Sequence, residues 1–212
     1  PSADGRRATP RVDALARGVA ESVAGAGAPQ GAYVLLSSVN GAGFLAAFLG
    51  ARRAGLVPVL ADWASPEAER ARIASGLGVA ARITCADPFP TGAATFRVDH
   101  CDGTPAFPPE GAEYVKLTSG TSGAPSGVAI SGEALAADDD QLASAMGLLP
   151  SDRFLAAIPW SHSYALSSLV MPALRRGCLL VLPKDRSPWA PMDAARALSA
   201  TVFPTVPVVL QT

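Results

Sequence analysis

The sequence predicts an α/β fold in which a mainly parallel sheet is layered with flanking helices. Short apolar, β-prone runs alternate with stretches of helical periodicity, and Gly or Pro residues separate most of them. This alternation favours parallel strands with helices on their faces. With 212 residues, 49% of them hydrophobic, the chain can bury one substantial core.

The first 90 residues predict a β-α-β subdomain. Thr9 and Pro10 supply an N-cap and a proline at the first helical position, and an apolar stripe then continues to Gly25. The next elements predicted are strand 33–37, helix 43–53, strand 56–61, helix 65–76 and strand 81–84.

A Pro- and Gly-rich stretch, 87–111, resists regular structure, and we interpret residues 91–112 as a linker. Residues 113–212 then form a second, phosphate-loop subdomain. Its predicted strands are 113–117, 128–130, 154–158, 178–182 and 201–203, and its predicted helices are 131–146, 166–174 and 191–199.

The most informative segment lies between strands 113–117 and 128–130. Its glycines leave backbone N–H groups free to turn toward a phosphate, and its hydroxyls add donors, so the composition predicts an anion cradle rather than a flexible linker. No G-x-x-x-x-G-K-[ST] pattern is present. The expected ligand is a nucleotide, and the candidate phosphate-binding residues are Thr118, Ser119, Gly120, Thr121, Ser122, Gly123, Ser126 and Gly127.

A competing pattern begins at Gly41. Residues 41–46 match G-x-G-x-x-A, and Asp62 follows near the offset of a dinucleotide fingerprint, so a nicotinamide dinucleotide-binding domain is an alternative. Residues 37–40 separate the strand from these glycines, whereas the fingerprint needs a tight turn at the strand end.

Among the other polar residues, His162 stands between Trp160 and Tyr164, a set suited to lining a ligand pocket. His100 matches no metal-ligand spacing and is interpreted as a loop residue. The run 138–140 of three aspartates points in different directions on a helix, so we expect a solvated face rather than a metal site.

The run Leu117-Thr-Ser-Gly-Thr-Ser-Gly-Ala-Pro-Ser-Gly-Val128 resembles the phosphate-binding signature of the AMP-forming adenylating superfamily. That superfamily comprises acyl-CoA synthetases, peptide-synthetase adenylation domains and firefly luciferase. Three further segments resemble it in family order: 32–66, 200–210 and Ile158-Pro-Trp-Ser-His-Ser-Tyr-Ala-Leu166. Two departures are Ser126, where the family usually has Lys, and Ala165, where it prefers Gly.

The resemblance implies the first half of an acyl-CoA synthetase-like amino-terminal domain. The implied reaction joins ATP and a small-molecule carboxylic acid into acyl-AMP and pyrophosphate, then transfers the acyl group to CoA or to the phosphopantetheine of an acyl carrier protein. Mg²⁺ is the implied metal, and no metal ligand is assigned in this chain. His162, Trp160 and Tyr164 are the implied acyl or nucleotide pocket.

Family members are longer than this chain, and their adenine- and ribose-binding motifs and carboxy-terminal lid have no counterpart before Thr212. We therefore expect an amino-terminal portion that is inactive alone. The alternative is a non-catalytic, degenerate member or binding fragment.

Composition excludes several other classes. The net charge of −1 gives no reason to expect nucleic acid as a partner, and no apolar run is long enough for a membrane span. The three cysteines lack disulfide or zinc spacing, which favours a cytoplasmic protein.

Overall fold

The computed structural model describes residues 8–118, 126–185 and 187–206. The chain divides into two compact units, Pro1–Gly132 and Glu133–Thr212. The subdomain boundaries expected at residues 90 and 113 stay a prediction.

The first unit alternates helices with the strands of one sheet. Its helices are α1 (Ala8–Gly25), α2 (Ala42–Arg53) and α3 (Glu67–Gly76). Its strands are β1 (Tyr33–Ser38), β2 (Val57–Leu60), β3 (Ala81–Cys85), β4 (Arg97–His100), β5 (Ala112–Thr118) and β6 (Ser126–Ser131). In the described part of the chain these strands form a six-stranded sheet in the order β4-β3-β1-β2-β5-β6. The predicted α/β class is confirmed.

The sheet is parallel at its centre and antiparallel at both edges. β1 pairs in parallel with β2 and β3, and β2 pairs in parallel with β5. Helices α2 and α3 provide the long crossovers that parallel neighbours require. β4 follows β3, and β6 follows β5, without an intervening α-helix, and both therefore pair antiparallel to the preceding strand.

The central strands are covered on both faces. Leu35, Val59 and Val115 pack on one face with Ile73 of α3. Val34 and Leu36 alternate to the opposite face and are fully buried, as expected where α2 lies against the strands. Because both faces are covered, β1 and β2 are buried at consecutive positions, including the two serines that end β1, rather than at alternate ones.

The expectation that 87–111 lacks regular structure is wrong. A single 3-10 turn spans Ala93–Thr95, and β4 pairs with β3 from Ala81↔His100 to Thr84↔Arg97. His100 is consequently a strand residue, not a loop residue, and its Nδ1 lies 3.0 Å from the carbonyl oxygen of Ala26. β4 contains one apolar side chain, Val98, because an edge strand needs little burial, and periodicity could not reveal it.

The second unit has a smaller sheet. Its helices are α4 (Gly132–Met146), α5 (Ser163–Ala165), α6 (Met171–Arg176) and α7 (Ala190–Ala197), and a π-helical turn, Leu166–Val170, joins α5 to α6. Strands β7 (Arg153–Leu155) and β8 (Leu179–Val181) pair in parallel. The strand predicted at 201–203 is reduced to an isolated bridge between Phe154 and Val202.

The aspartate run of α4 does not form the solvated face that we expected. Asp139 is fully buried, and its Oδ2 accepts bonds from Arg175 at 2.7 Å and from Arg176 at 2.9 Å. Asp140 is exposed and bonds to the same guanidinium groups, of which Arg175 contributes most to holding the pKa of Asp140 below its usual value. These bonds attach α4 to the end of α6.

No helix in the described ranges is long and apolar enough to cross a membrane. Cys85, Cys101 and Cys178 are free thiols.

Candidate phosphate-binding hairpin and the 160–164 segment

Strands β5 and β6 form an antiparallel pair that ends at the glycine-rich segment. Lys116, Leu117 and Thr118 lie opposite Val128, Gly127 and Ser126, respectively. The predicted phosphate-binding residues Ser119, Gly120, Thr121, Ser122 and Gly123 lie outside the described residues. Thr118, Ser126 and Gly127 therefore define the part of the candidate site whose geometry is known.

Thr118 and Ser126 bond to each other across the mouth of the hairpin. Their hydroxyl oxygens lie 2.7 Å apart, and Thr118 Oγ1 is also 3.3 Å from the carbonyl oxygen of Ser126. Both side chains are exposed. Ser126 thus begins a strand, with its hydroxyl on the same face as that of Thr118.

Gly127 is required by packing. A Cβ at this position would lie 2.4 Å from Val115 Cγ1, closer than two carbon atoms can approach. Val115 belongs to the buried cluster beneath the sheet, so the clash would push on the core. Glycine at residue 127 of the predicted cradle therefore allows β6 to pair with β5 without a clash at Val115.

The base of the hairpin is fixed to α2 by a two-pronged ion pair. Arg52 Nε and Nη2 donate to the two carboxylate oxygens of Glu113, each at 3.0 Å. Arg52 also donates to the carbonyl oxygen of Leu56 at 2.8 Å. Fork-to-fork pairing of this kind defines orientation as well as adding attraction, so β5 is held firmly where it enters the sheet.

Sequence reasoning missed Lys116. Side chains alternate along a strand, so Lys116 lies on the same face of β5 as Thr118 and, through the register, as Ser126. The signal available in the sequence was the two-residue spacing from Lys116, in the predicted strand 113–117, to Thr118 directly after it.

The dinucleotide alternative centred on Gly41 and Gly43 meets a packed environment. A Cβ on Gly41 would lie 2.3 Å from the carbonyl oxygen of Pro88, and one on Gly43 would lie 2.5 Å from that of Asp87. The Gly43 amide donates to Pro88 O at 3.3 Å. The protein's own backbone fills the space that a pyrophosphate would need at the start of α2, which favours a packing role for both glycines.

The three predicted pocket residues of the second unit differ in exposure. Trp160 is buried, with 1% of its surface exposed, whereas Tyr164 is 49% exposed and His162 is also exposed. His162 precedes α5 with an extended backbone, φ −84° and ψ 141°. Trp160 therefore belongs to the core of this unit, and His162 and Tyr164 are accessible from solvent.

Tyr164 lines a cavity of about 440 Å³ in the second unit. Apolar residues of α4 and the following turn, such as Met146 and Leu149, form part of its wall. Asp152, Ser168 and Thr201 add polar groups that sequence reasoning did not select. A largely apolar cavity with a few polar groups is the general form of a small-molecule site.

Asp152 organises one wall of this cavity. Its carboxylate accepts bonds from the Leu149 amide at 2.7 Å and from the Thr201 hydroxyl at 2.7 Å. These bonds, the backbone one first, hold the pKa of Asp152 below its usual value. The Thr201 hydroxyl in turn accepts from the Arg153 amide at 3.0 Å, so Thr201 is bonded both to the Asp152 carboxylate and to the backbone of β7.

The model of the AMP-binding enzyme family matches residues 6–212, which is almost the whole chain. The chain belongs to the AMP-binding enzyme family. The resemblance carried by residues 117–128 and 158–166 is thereby confirmed at the level of the family.

Two curated relatives of this family member come from Oryza sativa subsp. japonica. 4-Coumarate–CoA ligase 5 is 27% identical over 227 positions, which include 94% of this chain and 42% of the relative. 4-Coumarate–CoA ligase 1 is 29% identical over 113 residues, covering 51% of this chain and 20% of the relative. The chain thus spans less than half the length of either relative.

Solved structures confirm the fold. MbtA of Mycobacterium smegmatis superposes with a TM-score of 0.74 at 24% identity, over 93% of this chain and 43% of MbtA. O-succinylbenzoate coenzyme A synthetase of Bacillus subtilis, solved in complex with AMP, gives a TM-score of 0.75 at 20% identity, over 94% of this chain and 55% of that one.

Proposed function

We propose that this chain supplies the phosphate-binding part of an AMP-forming acid–thiol ligase. In that reaction a carboxylate oxygen attacks the α-phosphorus of ATP, acyl-AMP forms and pyrophosphate leaves. A thiol then attacks the acyl carbonyl carbon, a thioester forms and AMP leaves. The single observation that carries the proposal is the family match across residues 6–212. The names of the relatives, both 4-coumarate–CoA ligases, support CoA as the thiol and an aromatic acid as the substrate class.

The hairpin residues are assigned to ATP. For the carboxylate to attack the α-phosphorus, the polyphosphate must be held in one orientation. Its negative charge must also be stabilised by hydrogen-bond donors that are already in place. Thr118 and Ser126 present hydroxyls at the hairpin mouth, and Gly127 lets the two strands close there. Ser119, Gly120, Thr121, Ser122 and Gly123 complete the proposed cradle, on sequence grounds.

The second unit is assigned to the acid. His162 and Tyr164 are proposed to border the acyl or nucleotide pocket, and Trp160 is proposed to support it from the core. The exposure of Tyr164 on a cavity wall supports a contact with a planar substrate.

Mg²⁺ enters no step of the proposal. Among the residues that the structure describes, no group of three or more His, Cys, Asp or Glu side chains could hold a metal ion. The hairpin strands contribute hydroxyls and one cation, and the one acidic side chain of β5, Glu113, is engaged by Arg52. Metal ligands for ATP are therefore not assigned to this chain.

The test is carboxylate-dependent exchange of labelled pyrophosphate into ATP by the full-length protein. A panel of carboxylic acids that includes 4-coumarate is assayed, followed by thioester formation with CoA or with a phosphopantetheinylated carrier protein. Thr118→Val, which keeps the shape but removes the hydroxyl, should lower kcat/KM for ATP by up to about tenfold. The same substitution at exposed Thr104 should leave it unchanged.

Exchange that does not depend on any added acid, or no exchange by the wild type, would contradict the proposal. The second result would favour a non-catalytic member of the family. Equal loss in the Thr118 and Thr104 variants would remove Thr118 from the proposed cradle.

A further inference from the structure

A bound polyphosphate carries several negative charges, and hydroxyl groups alone do not compensate them. Cations that bond to phosphate oxygens give shorter and stronger hydrogen bonds than neutral donors. The sequence has 2 lysines among its 17 basic residues, and one of them, Lys116, lies on the hairpin.

Lys116 is placed to reach the hairpin mouth. It is two residues before Thr118 on the same face of β5, a distance of roughly 7 Å along the strand. Ser126 is opposite Thr118, so it lies diagonally across from Lys116, within the range that long side chains span between strands. The flexible four-carbon stem of Lys116 can therefore bring its ammonium group beside both hydroxyls.

The environment of Lys116 favours a side chain that extends toward Thr118 and Ser126. Toward the sheet interior, the neighbour on the same face is Tyr114, which is 2% exposed, whereas Thr118 and Ser126 are exposed. An ammonium group avoids the buried end and extends to the open end, while its stem covers apolar surface.

No carboxylate on this face of the hairpin competes for Lys116. β6 contains no acidic residue, and the one acidic side chain of β5, Glu113, bonds to Arg52. Within the described ranges, Lys116 forms no ion pair. As far as the described residues go, its positive charge is therefore available to an anion bound at the hairpin.

We propose that Lys116, together with the hydroxyls of Thr118 and Ser126, forms the cationic contact for the ATP polyphosphate. The proposal rests on the proposed function and names a binding residue for it. Lys116 donates an N⁺–H bond to a phosphate oxygen, and the hydroxyl pair defines one side of the position that this oxygen occupies.

The test measures binding of ATP and of adenosine to the full-length protein by calorimetry. Lys116→Met keeps the length of the side chain and removes the charge, and we expect it to raise the Kd for ATP roughly tenfold or more, the value of one charge-assisted bond. The Kd for adenosine, which has no phosphate, should stay unchanged. Lys116→Arg should retain most of the ATP affinity, and Lys184→Met, the matched change at the exposed lysine, should have no effect.

Moving the positive charge to a neighbouring residue distinguishes a loss of electrostatic attraction from a loss of folding as the cause of weaker ATP binding. Ser126→Lys in the Lys116→Met background puts an ammonium back on the same face, and we expect it to recover most of the lost ATP affinity. If Lys116→Met lowers the free energy of unfolding, Lys116→Gln serves as the second variant.

Three results would overturn the inference: ATP affinity unchanged in both neutral variants, equal losses for ATP and adenosine, or no ATP binding by the wild type. Its failure is distinguishable from that of the proposed function. If the Lys116→Met variant shows the same pyrophosphate exchange as the wild type, the role of Lys116 is rejected and the ligase function is retained. If ATP binding depends on Lys116 but the wild type shows no pyrophosphate exchange, the role of Lys116 is retained and the ligase function is rejected.

Discussion

The close contact between Gly127 and Val115 leads to a prediction about a single residue. Gly127→Ala should destabilise the protein by about 1–3 kcal/mol, because the new methyl group would overlap Val115 Cγ1, which lies 2.4 Å from the ideal Cβ position. The measurement is the free energy of unfolding in urea. In a Val115→Ala background the same substitution should cost much less, because the colliding methyl group is gone.

The matched control is Gly92→Ala. Its added Cβ would have no neighbour within 4 Å, and its backbone is extended with φ −162°, so we expect a change of less than about 0.5 kcal/mol. Equal effects at residues 127 and 92 would show that the glycine in β6 is not required by packing.

Residue types were enough to select candidate site residues, but they did not predict which residues are in contact. The hydroxyls at 118 and 126 were selectable from composition, because glycine- and hydroxyl-rich turns bind anions. Lys116 was not, because its relation to Ser126 depends on the pairing register of two strands. Asp139 was misread for a similar reason: its partners Arg175 and Arg176 are more than thirty residues away along the chain.

At the scale of elements, Asp152 connects the turn after α4 with Thr201. Its pKa is lowered in the fold, so its contribution to stability is full above its ordinary pKa of 3.8 and is lost as pH falls through the lower folded value. Asp152→Asn should therefore cost about 1 kcal/mol at pH 7, the value of a charged hydrogen bond reduced by solvent exposure. The difference from wild type should narrow at pH 3.

The measurement is the unfolding free energy of both proteins at the two pH values. Other carboxylates titrate equally in both and cancel in the difference. Asp138→Asn, on an exposed position of α4, is the control and should change little at either pH. A gap that stays constant or widens toward pH 3 would mean that the carboxylate charge is not what holds the Leu149 and Thr201 bonds.

Elements with strong periodicity were predictable, and weakly patterned ones were not. β1, β2 and α2 follow from apolar runs that tolerate burial on every side. The helix through 166–174 begins earlier, at Ser163, and includes a π-helical turn just before Pro172. Pro172 has no N–H to donate to the preceding turn, and a sequence pattern does not show how the backbone adjusts to that loss.

For the whole molecule, the order of elements predicted the central parallel strands because helices α2 and α3 act as crossovers. The antiparallel edges escaped prediction. A strand at 128–130 was predicted, but its antiparallel pairing with β5 was not; β4, which pairs with β3, was not predicted at all.

The last prediction concerns the 212-residue polypeptide by itself. It covers 42% of the length of its longer-matching curated relative, and acyl transfer through an adenylate needs groups around both reactants at once. Purified alone, this polypeptide should fold, as judged by circular dichroism and cooperative unfolding, yet show no pyrophosphate exchange above the blank without carboxylic acid. The full-length protein assayed in parallel provides the positive reference. Acid-dependent exchange by the 212-residue polypeptide would mean that these two units already contain every group needed to bring a carboxylate to the α-phosphorus.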